Sequence, residues 1–323
     1  MQSPLPVRDG VNATRLRLPG EGPWDTAMDY MMHRWGHIDP QGIEDRFDAG
    51  EIVGEGGVPL DRTTPLTDHT FIWYYRTLPP ETRIPVELGI LHQDEHLLVV
   101  DKPHFLPTTP GGTYIQESAL VRLRNQLQLP DLIPMHRLDR MTAGVLLFST
   151  NPATRGNYQV LFEKRQVQKE YECVAAAVPA DGFPGVEFPV VVRNRMTKSR
   201  SYLLAEVVEG EPNAETRIEQ LATFDGGTTA GAPDGAGPRG SAARRALYRL
   251  EPHTGKTHQL RVHMASLGLG IINDAFYPDL LDKAPDDYSK PLQLLARGIR
   301  FVDPVSGKPV EYRSRLHLSE AGS

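Results

Sequence analysis

The chain has 323 residues, 39% hydrophobic and 24% charged, with 35 basic and 41 acidic side chains and a formal net charge of −6. That length allows a sizeable core and two domains; no run approaches the roughly 18–20 apolar residues that cross a bilayer; and the lone cysteine, Cys173, excludes an internal disulfide framework and fits a reducing cytoplasm. The acidic balance argues at first against a nucleic-acid partner, but it is uneven: residues 1–80 carry 7 basic and 12 acidic side chains, whereas Arg193, Arg195, Lys198 and Arg200 cluster without an acid, as do Lys164, Arg165 and Lys169.

Met1 to Leu18 has no apolar h-region, so no secretory signal is read. Trp24, Ala27, Met28, Met31, Met32 and Trp35 recur at three- and four-residue spacing, which predicts one apolar helix face. Asp39-Pro40 reads as the cap and first turn of a second helix, with Ile43 and Phe47 on one face and Gly50 as its stop. Ile52-Val53, the turn Gly54 to Gly57, and Val58 to Leu60 read as a hairpin. Thr70 to Tyr74 reads as a strand, and Leu78-Pro79-Pro80 to Pro85 as a stiff linker.

Beyond the linker, Glu87 to His92 and Leu97 to Val100 predict a hairpin. His92 and His96 lack the His-Glu-x-x-His order of a helical metal site, so no metal is assigned there. Ile115 to Gln128 predicts a helix with Ala119, Leu120, Leu123 and Leu127 inward and Arg122 and Arg124 mostly toward solvent. Met135-His136-Arg137-Leu138-Asp139-Arg140-Met141-Thr142-Ala143-Gly144 then leads into the apolar run Val145 to Phe148, a buried strand. Arg137 and Arg140 flank Asp139 and favour its ionised form, which suits a nucleophile, a base, a metal ligand or a structural ion pair. Asn151-Pro152 opens a helix to about Lys164, and Lys169 to Ala175 reads as a strand entering the core.

Phe188 to Val192 and Tyr202 to Ala205 bracket the basic cluster, which predicts a hairpin tip at 193–200. Thr216 to Phe224 and Ala246 to Leu250 read as strands. The Gly-, Ala- and Pro-rich stretch 225–241 between them reads as a flexible insertion with no phosphate-cradling pattern. In Pro252 to His263, Thr257 is the expected N-cap of a short helix ending before Gly268, with Arg261 in its first or second turn. His253, His258 and His263 are five apart, which suits neither one helix face nor a metal loop, so they read as structural hydrogen-bonders.

These motifs resemble those of the RluA-type RNA pseudouridine synthases. The family signature, His-Arg-Leu-Asp, two variable residues, then Thr-Ser/Ala-Gly, is met by His136 to Gly144. Its Lys-x-Tyr strand is met by Lys169 to Tyr171, with Tyr171 32 residues after Asp139, and its Thr-Gly-Arg/Lys-Thr-His-Gln-Ile/Leu-Arg-Val-His by Thr254 to His263. Asp101-Lys102-Pro103 is similar to the family's Asp-Lys-Pro turn, with Phe105 and Thr109 replacing the usual glycine and histidine. Asn273 to Tyr277 is similar to Gly-Asp-x-x-Tyr with Asn273 in the glycine position, and Leu294 to Pro304 to the closing strand. The resemblance covers residues 85–315.

The resemblance implies an α+β fold, with a mixed, mostly antiparallel sheet flanked by helices in a catalytic domain at 85–319. A small N-terminal domain resembling the alpha-L RNA-binding domain precedes it at 1–80; that domain is acidic here, which leaves RNA binding and a packing role both open. The implied activity is conversion of uridine to pseudouridine in ribosomal or transfer RNA by a cytoplasmic monomer, with no cofactor, metal, membrane or protein partner. The base leaves its ring nitrogen's bond to the ribose, rotates, and rejoins through carbon-5. Asp139 is the implied catalytic carboxylate, acting on sugar, ring or a ribose proton, and Arg261 its hydrogen-bonded cation. Arg137 fills the space of the flipped base. Tyr171 stacks on the uracil and helps take the carbon-5 proton. His136, Leu260 and Leu295 complete the substrate site. Two other readings stand beside this one. A silent RNA-binding protein of the same fold would lack one of the three catalytic groups. A carboxylate hydrolase needs a second acid roughly 5 to 9.5 Å away, for which Asp274 is the best candidate.

Overall fold

The computed structural model describes residues 3–78, 80–178, 187–199, 204–225, 244–282 and 284–322. It contains two compact units. The first is Met1–Thr82 with Pro110–Glu117 and Val121–Pro130; the second is Arg83–Thr109 with Ser118–Leu120 and Asp131–Ser323.

In the first unit, helices α1 (Ala27–Trp35) and α2 (Pro40–Asp48) pack Ala27, Tyr30, Met31, Ile43 and Phe47 into one core with Ile72. The start of α1 is set by Thr26, whose hydroxyl accepts from Asp29 N–H while the Asp29 carboxylate accepts from Thr26 N–H. This reciprocal box satisfies two of the N–H groups that a helix start leaves over. Asp39 caps α2 as its sequence suggests, accepting from Gly42 N–H at 3.0 Å. Strand β1 (Thr14–Arg17), which the sequence does not announce, pairs antiparallel with β2 (Phe71–Tyr74). Most of α3 (Ala119–Leu127) clusters here too. It begins four residues later than the periodicity suggests; the preceding N–H groups of Ile115, Gln116 and Glu117 donate to the Glu81 carboxylate at 3.0 Å. Nor do Arg122 and Arg124 point to solvent. Arg122 pairs with Glu117, and Arg124, 5% exposed, donates to the Gly10 carbonyl at 2.9 Å.

The second unit is built on one mixed sheet. Its strands are β3 (Gly89–Gln93), β4 (Leu97–Lys102), β5 (Ile133–Pro134), β6 (Ala143–Ser149), β7 (Gln168–Ala176), β8 (Val190–Lys198), β9 (Ala205–Val208), β10 (Ala214–Asp225), β11 (Arg244–Pro252), β12 (Leu294–Val302) and β13 (Pro309–Arg313). The order is β3-β4-β6-β12-β7-β11-β10-β8-β9, with β13 on β12 and β5 on β6. The β6–β12 pair is parallel and the other pairs are antiparallel. Every residue of β6 is buried, as its unbroken apolar run requires. Helices α4 (Arg155–Glu163) and α5 (Gln259–Ser266) cover the sheet. Tyr158 of α4 packs on Leu97, Val145 and Phe301; Leu260 and Met264 of α5 pack on Cys173, Tyr248 and Leu294.

Gly144 explains how the motif loop joins the sheet. Its φ is +112°, and a Cβ there would lie 2.2 Å from the Ala296 carbonyl oxygen on β12. Two readings of this region change. The basic residues Arg193, Arg195 and Lys198 lie within β8, not at a hairpin tip, because β8 runs on to pair with β9. Arg200, Tyr202 and nearly all of the stretch 225–241 lie outside the described residues; Asp225 closes β10.

Candidate active site

The loop from Arg137 to Thr142, just before β6, is clamped by the Asp-Lys-Pro segment. Lys102 is fully buried, and its ammonium donates to the carbonyls of Pro103 (2.9 Å), Leu106 (2.7 Å) and Arg140 (3.2 Å). An ammonium has three donors, and each finds an acceptor. Burial pulls this lysine down to about 7, while the Asp139 carboxylate opposes that shift. His104 Nδ1 donates to the Met141 carbonyl at 2.6 Å, and the Thr108 hydroxyl exchanges bonds with Leu138 N–H and C=O. Asp101 is tied in turn to Ser314 Oγ and Arg315 N–H. The Asp-Lys-Pro run therefore holds the loop that carries Asp139.

Helix α5 brings the groups that face Asp139. Its N-cap is His258 in a left-handed conformation (φ +54°), not Thr257. The turn is fixed by Gln259 rather than by a capping hydroxyl. Gln259 Oε1 accepts from the Thr254 hydroxyl and Lys256 N–H, and its Nε2 donates to the Glu215 carbonyl and Thr216 Oγ1. All four of its hydrogen-bonding sites are used, which makes it a staple between the motif loop and β10. His263 completes the anchor through Thr216 Oγ1 (2.9 Å) and Asn194 Oδ1 (3.1 Å).

Arg261 lies in the first turn of α5, only 3% exposed. Its Nη1 is 3.9 Å from Asp139 Oδ2, so the expected ion contact exists, but the expected hydrogen bond does not. The bidentate partner is Asp274: Nε reaches Oδ2 at 2.7 Å and Nη2 reaches Oδ1 at 2.5 Å. The guanidinium carbon also lies 4.8 Å from the Phe276 ring centre and 5.3 Å from that of Tyr277. Burial works against the charge, but the bonded Asp274, with Asp139, holds Arg261 above the ordinary arginine value. Asp274 is thereby consumed as an anchor and is not the second acid of a hydrolase. His258 Nε2 is also 3.9 Å from Asp139 Oδ2, and its Nδ1 meets the Tyr277 hydroxyl at 3.0 Å. Burial lowers this imidazole, against the pull of Asp139.

Asp139 itself is half-buried, and its carboxylate accepts no hydrogen bond among the described residues. It lies beside Arg261 and His258 without being capped by either. Arg140 turns to grip Asp286 at 2.7 and 2.8 Å, so its guanidinium is spent on that carboxylate. Arg137 is exposed and makes no side-chain hydrogen bond or ion pair among the described residues. Tyr171 on β7 packs with Met141 and Leu260 in one cluster. Burial and the Asp139 charge push its phenol up.

Two predicted substrate residues are elsewhere. His136 Nε2 accepts from Leu147 N–H at 3.2 Å, and its ring stacks on Phe162 at 5.3 Å. Burial holds it down at about 3, as a neutral strut of the loop. Leu295 packs with Ala143, Val174 and Leu318, on the opposite sheet face from Tyr171; strand alternation puts Leu294 on the Tyr171 side. The missed contributors are Lys102, His258, Gln259 and Asp274. Their motifs were visible, but the spacing carries no sign of which atoms would meet.

A model of the family described as RNA pseudouridylate synthase matches residues 96–266. An uncharacterized RNA pseudouridine synthase of Synechocystis sp. is 28% identical over 250 residues, covering 77% of this chain and 78% of the relative. The dual-specificity RNA pseudouridine synthase RluA of Haemophilus influenzae is 27% identical, covering 71% and 93%. Human pseudouridylate synthase RPUSD2 is 32% identical over 66% of this chain, which spans only 35% of that protein. Among solved structures, human RNA pseudouridylate synthase domain containing 4 superposes with a TM-score of 0.50 at 25% identity, over 71% of this chain and 88% of that one.

Proposed function

Because this chain belongs to the RNA pseudouridylate synthase family, whose reaction turns uridine in RNA into pseudouridine, we propose that Asp139 is the carboxylate that drives that isomerisation here. The observation that carries the assignment is the state of its oxygens. Two cationic or potentially cationic groups lie 3.9 Å away, yet neither donates a hydrogen bond to the carboxylate. Its charge is supported by Arg261 while its lone pairs stay available to a substrate atom. Asp274 takes the hydrogen-bonding edge of Arg261, so the guanidinium is fixed before substrate arrives.

In the reaction the bond from carbon-1 of the ribose to the ring nitrogen breaks, and one from carbon-1 to carbon-5 forms. The proton on carbon-5 is lost and the ring nitrogen gains one, so mass is unchanged. Tyr171 stacks on the extruded uracil, and the carbon-5 proton leaves to a group beside it, with the Tyr171 hydroxyl, Asp139 and His258 all on hand. Arg137, with no side-chain partner among the described residues, fills the vacated stack, a space that costs roughly a few kcal/mol to open. Leu260 is an apolar wall on the Tyr171 side.

The substrates are ribosomal or transfer RNAs, and the name of the H. influenzae relative, a dual-specificity enzyme, supports a range of more than one RNA. The enzyme acts as a cytoplasmic monomer, and no helix among the described residues is long and apolar enough to cross a membrane. The first unit, residues 1–82 with 110–117 and 121–130 rather than 1–80 alone, serves as an accessory domain to the synthase unit. Mapping pseudouridines in total RNA with and without the gene tests this: specific sites vanish on deletion and return with the wild type but not with Asp139→Asn. Full complementation by Asp139→Asn would sink the assignment.

A further inference from the structure

The neighbours of His258 settle which of its ring nitrogens carries the proton. Its side chain is 10% exposed, and Nε2, 3.9 Å from Asp139 Oδ2, makes no hydrogen bond among the described residues. The other nitrogen, Nδ1, is 3.0 Å from the Tyr277 hydroxyl. That hydroxyl also accepts from the Ala205 N–H at 2.8 Å and lies 3.1 Å from the Ala205 carbonyl oxygen, both on β9. A phenol has one proton to give. If it goes to Nδ1, two oxygens face each other at 3.1 Å with no proton between them. If it goes to the Ala205 carbonyl, Nδ1 carries a proton of its own and donates it to the phenol oxygen. All three contacts are then hydrogen bonds. The second arrangement leaves nothing unpaired. The neutral imidazole therefore holds its proton on Nδ1 and presents a bare lone pair on Nε2 to the space beside Asp139.

Pseudouridine formation needs a proton acceptor in that space. Carbon-5 ends bonded to the same ribose carbon that the ring nitrogen left, beside Asp139, and it must then lose its proton. Two groups stand 3.9 Å from Asp139 Oδ2, His258 Nε2 and Arg261 Nη1, and a guanidinium accepts no proton. Lys102 has its ammonium spent on three backbone carbonyls. A carboxylate such as Asp139 is ordinarily a weaker base than an imidazole by about two to three pH units. The Tyr171 phenol would first have to lose its own proton, which ordinarily leaves near pH ~10. Burial lowers His258, so near neutral pH the imidazole is unprotonated; the charged groups facing it are Asp139, which opposes that shift, Arg261, Asp274 and Lys198 of β8.

We propose that Nε2 of His258 is the base that takes the carbon-5 proton in the last chemical step. The assignment rests on the synthase reading above. The bond from carbon-5 to its hydrogen breaks, its electron pair restores the double bond between carbon-5 and carbon-6, and the proton passes to Nε2. The imidazolium so formed stands 3.9 Å from the Asp139 carboxylate, which favours it, and gives its proton to water. The ring nitrogen takes its proton from water, so the isomerisation balances. Tyr277 is a positioning residue: by accepting from Nδ1–H it keeps the lone pair on Nε2.

His258→Asn separates the base from its setting. Asparagine tolerates the left-handed backbone that His258 adopts at φ +54°, and its amide nitrogen hangs where Nδ1 does, so the bond to Tyr277 is kept and Nε2 alone is lost. The full chain is given total RNA from a strain lacking the gene, grown on ordinary or on 5-deuterated uracil, and pseudouridine is measured against time. His258→Asn is expected to slow turnover about 100-fold. It should also make the deuterated RNA react more slowly than ordinary RNA, by a larger factor than in the wild type. Affinity for the same RNA should not differ between Asp139→Asn and Asp139→Asn/His258→Asn. Tyr277→Phe keeps the base but frees its tautomer, and should slow the deuterium-sensitive step by less; if His258→Asn fails to fold, absence of a deuterium effect in Tyr277→Phe overturns the proposal. Normal turnover in His258→Asn would overturn it, as would slow turnover without an added deuterium effect. A deuterium effect in Tyr171→Phe and none in His258→Asn would make the phenol the base. If the wild-type chain makes no pseudouridine, the synthase reading fails and this assignment with it; pseudouridine from the wild type with a deuterium-indifferent His258→Asn defeats only the assignment.

Discussion

Asp139 and Asp274 stand on either side of one guanidinium, and their surroundings give them different work. Asp274 accepts two bonds from Arg261 and two more from the N–H groups of Phe276 and Tyr277, while Asp139 accepts none on its side chain among the described residues. Breaking a buried bidentate pair costs about 3–5 kcal/mol. Asp274→Asn is therefore expected to lower stability by about 3 kcal/mol in urea denaturation and to slow turnover roughly 100-fold, as a loosened electrostatic donor does. Wild-type stability in that variant would show that Arg261 is held by something else. The same scale explains two departures from the family pattern. Asn273 and Phe105 stand where the family has glycine, and both have left-handed backbones, at φ +62° and +68°. Asparagine adopts that region readily; phenylalanine does so here because its ring is buried against Tyr288 at 4.9 Å. Asn273→Gly should leave the melting temperature nearly unchanged, and Asn273→Val should cost about 1–2 kcal/mol. Gly144→Ala has no such escape, because the obstacle is the backbone of β12. Loss of about 3 kcal/mol or failure to fold is expected.

Helix α5 is short, and polar bonds rather than a capping residue decide its placement. Gln259 donates to Thr216 Oγ1, so the threonine proton goes to His263 Nδ1, and His263 Nε2–H goes to Asn194. That chain works only while the imidazole is neutral. Burial lowers His263 to about 4, below the ordinary value of 6.5, and His104 likewise to about 4. The unfolded chain takes up these protons first as pH falls. Their stabilising contribution is therefore complete above pH 6.5 and is lost between 6.5 and 4, by on the order of 3 kcal/mol for fully buried His263. Melting temperature should fall across that window, and His263→Gln should flatten the fall while lowering the plateau. A parallel decline in both proteins would remove His263 as its source.

For the whole chain, the units are not consecutive in sequence. Residues 110–117 and most of α3 cluster with residues 1–82 through Glu81 and the Gly10 carbonyl. Deleting residues 1–82 is expected to leave 110–130 without these partners and open to protease, with new cleavage mapped there by mass spectrometry. An uncut 110–130 in the deletion would show that this segment keeps its structure alone.

Much of this was legible before any coordinates. The buried strand β6, the capped start of α2 and the hydrophobic face of α1 follow from local rules of periodicity and spacing, which a one-dimensional string contains, whereas Asp139, Tyr171 and Arg261 stand out only through their resemblance to a family's motifs. What remained hidden has one physical cause. Hydrogen bonds and ion pairs are short-ranged, and their partners here come from distant parts of the chain: Lys102 with Arg140, Gln259 with Thr216, Arg140 with Asp286. Residue identities supplied the chemistry on offer, a carboxylate and several cations. Only the tertiary structure decided which cation is spent on Asp274, which face of β12 Leu295 takes, and which oxygens of Asp139 are left for a substrate.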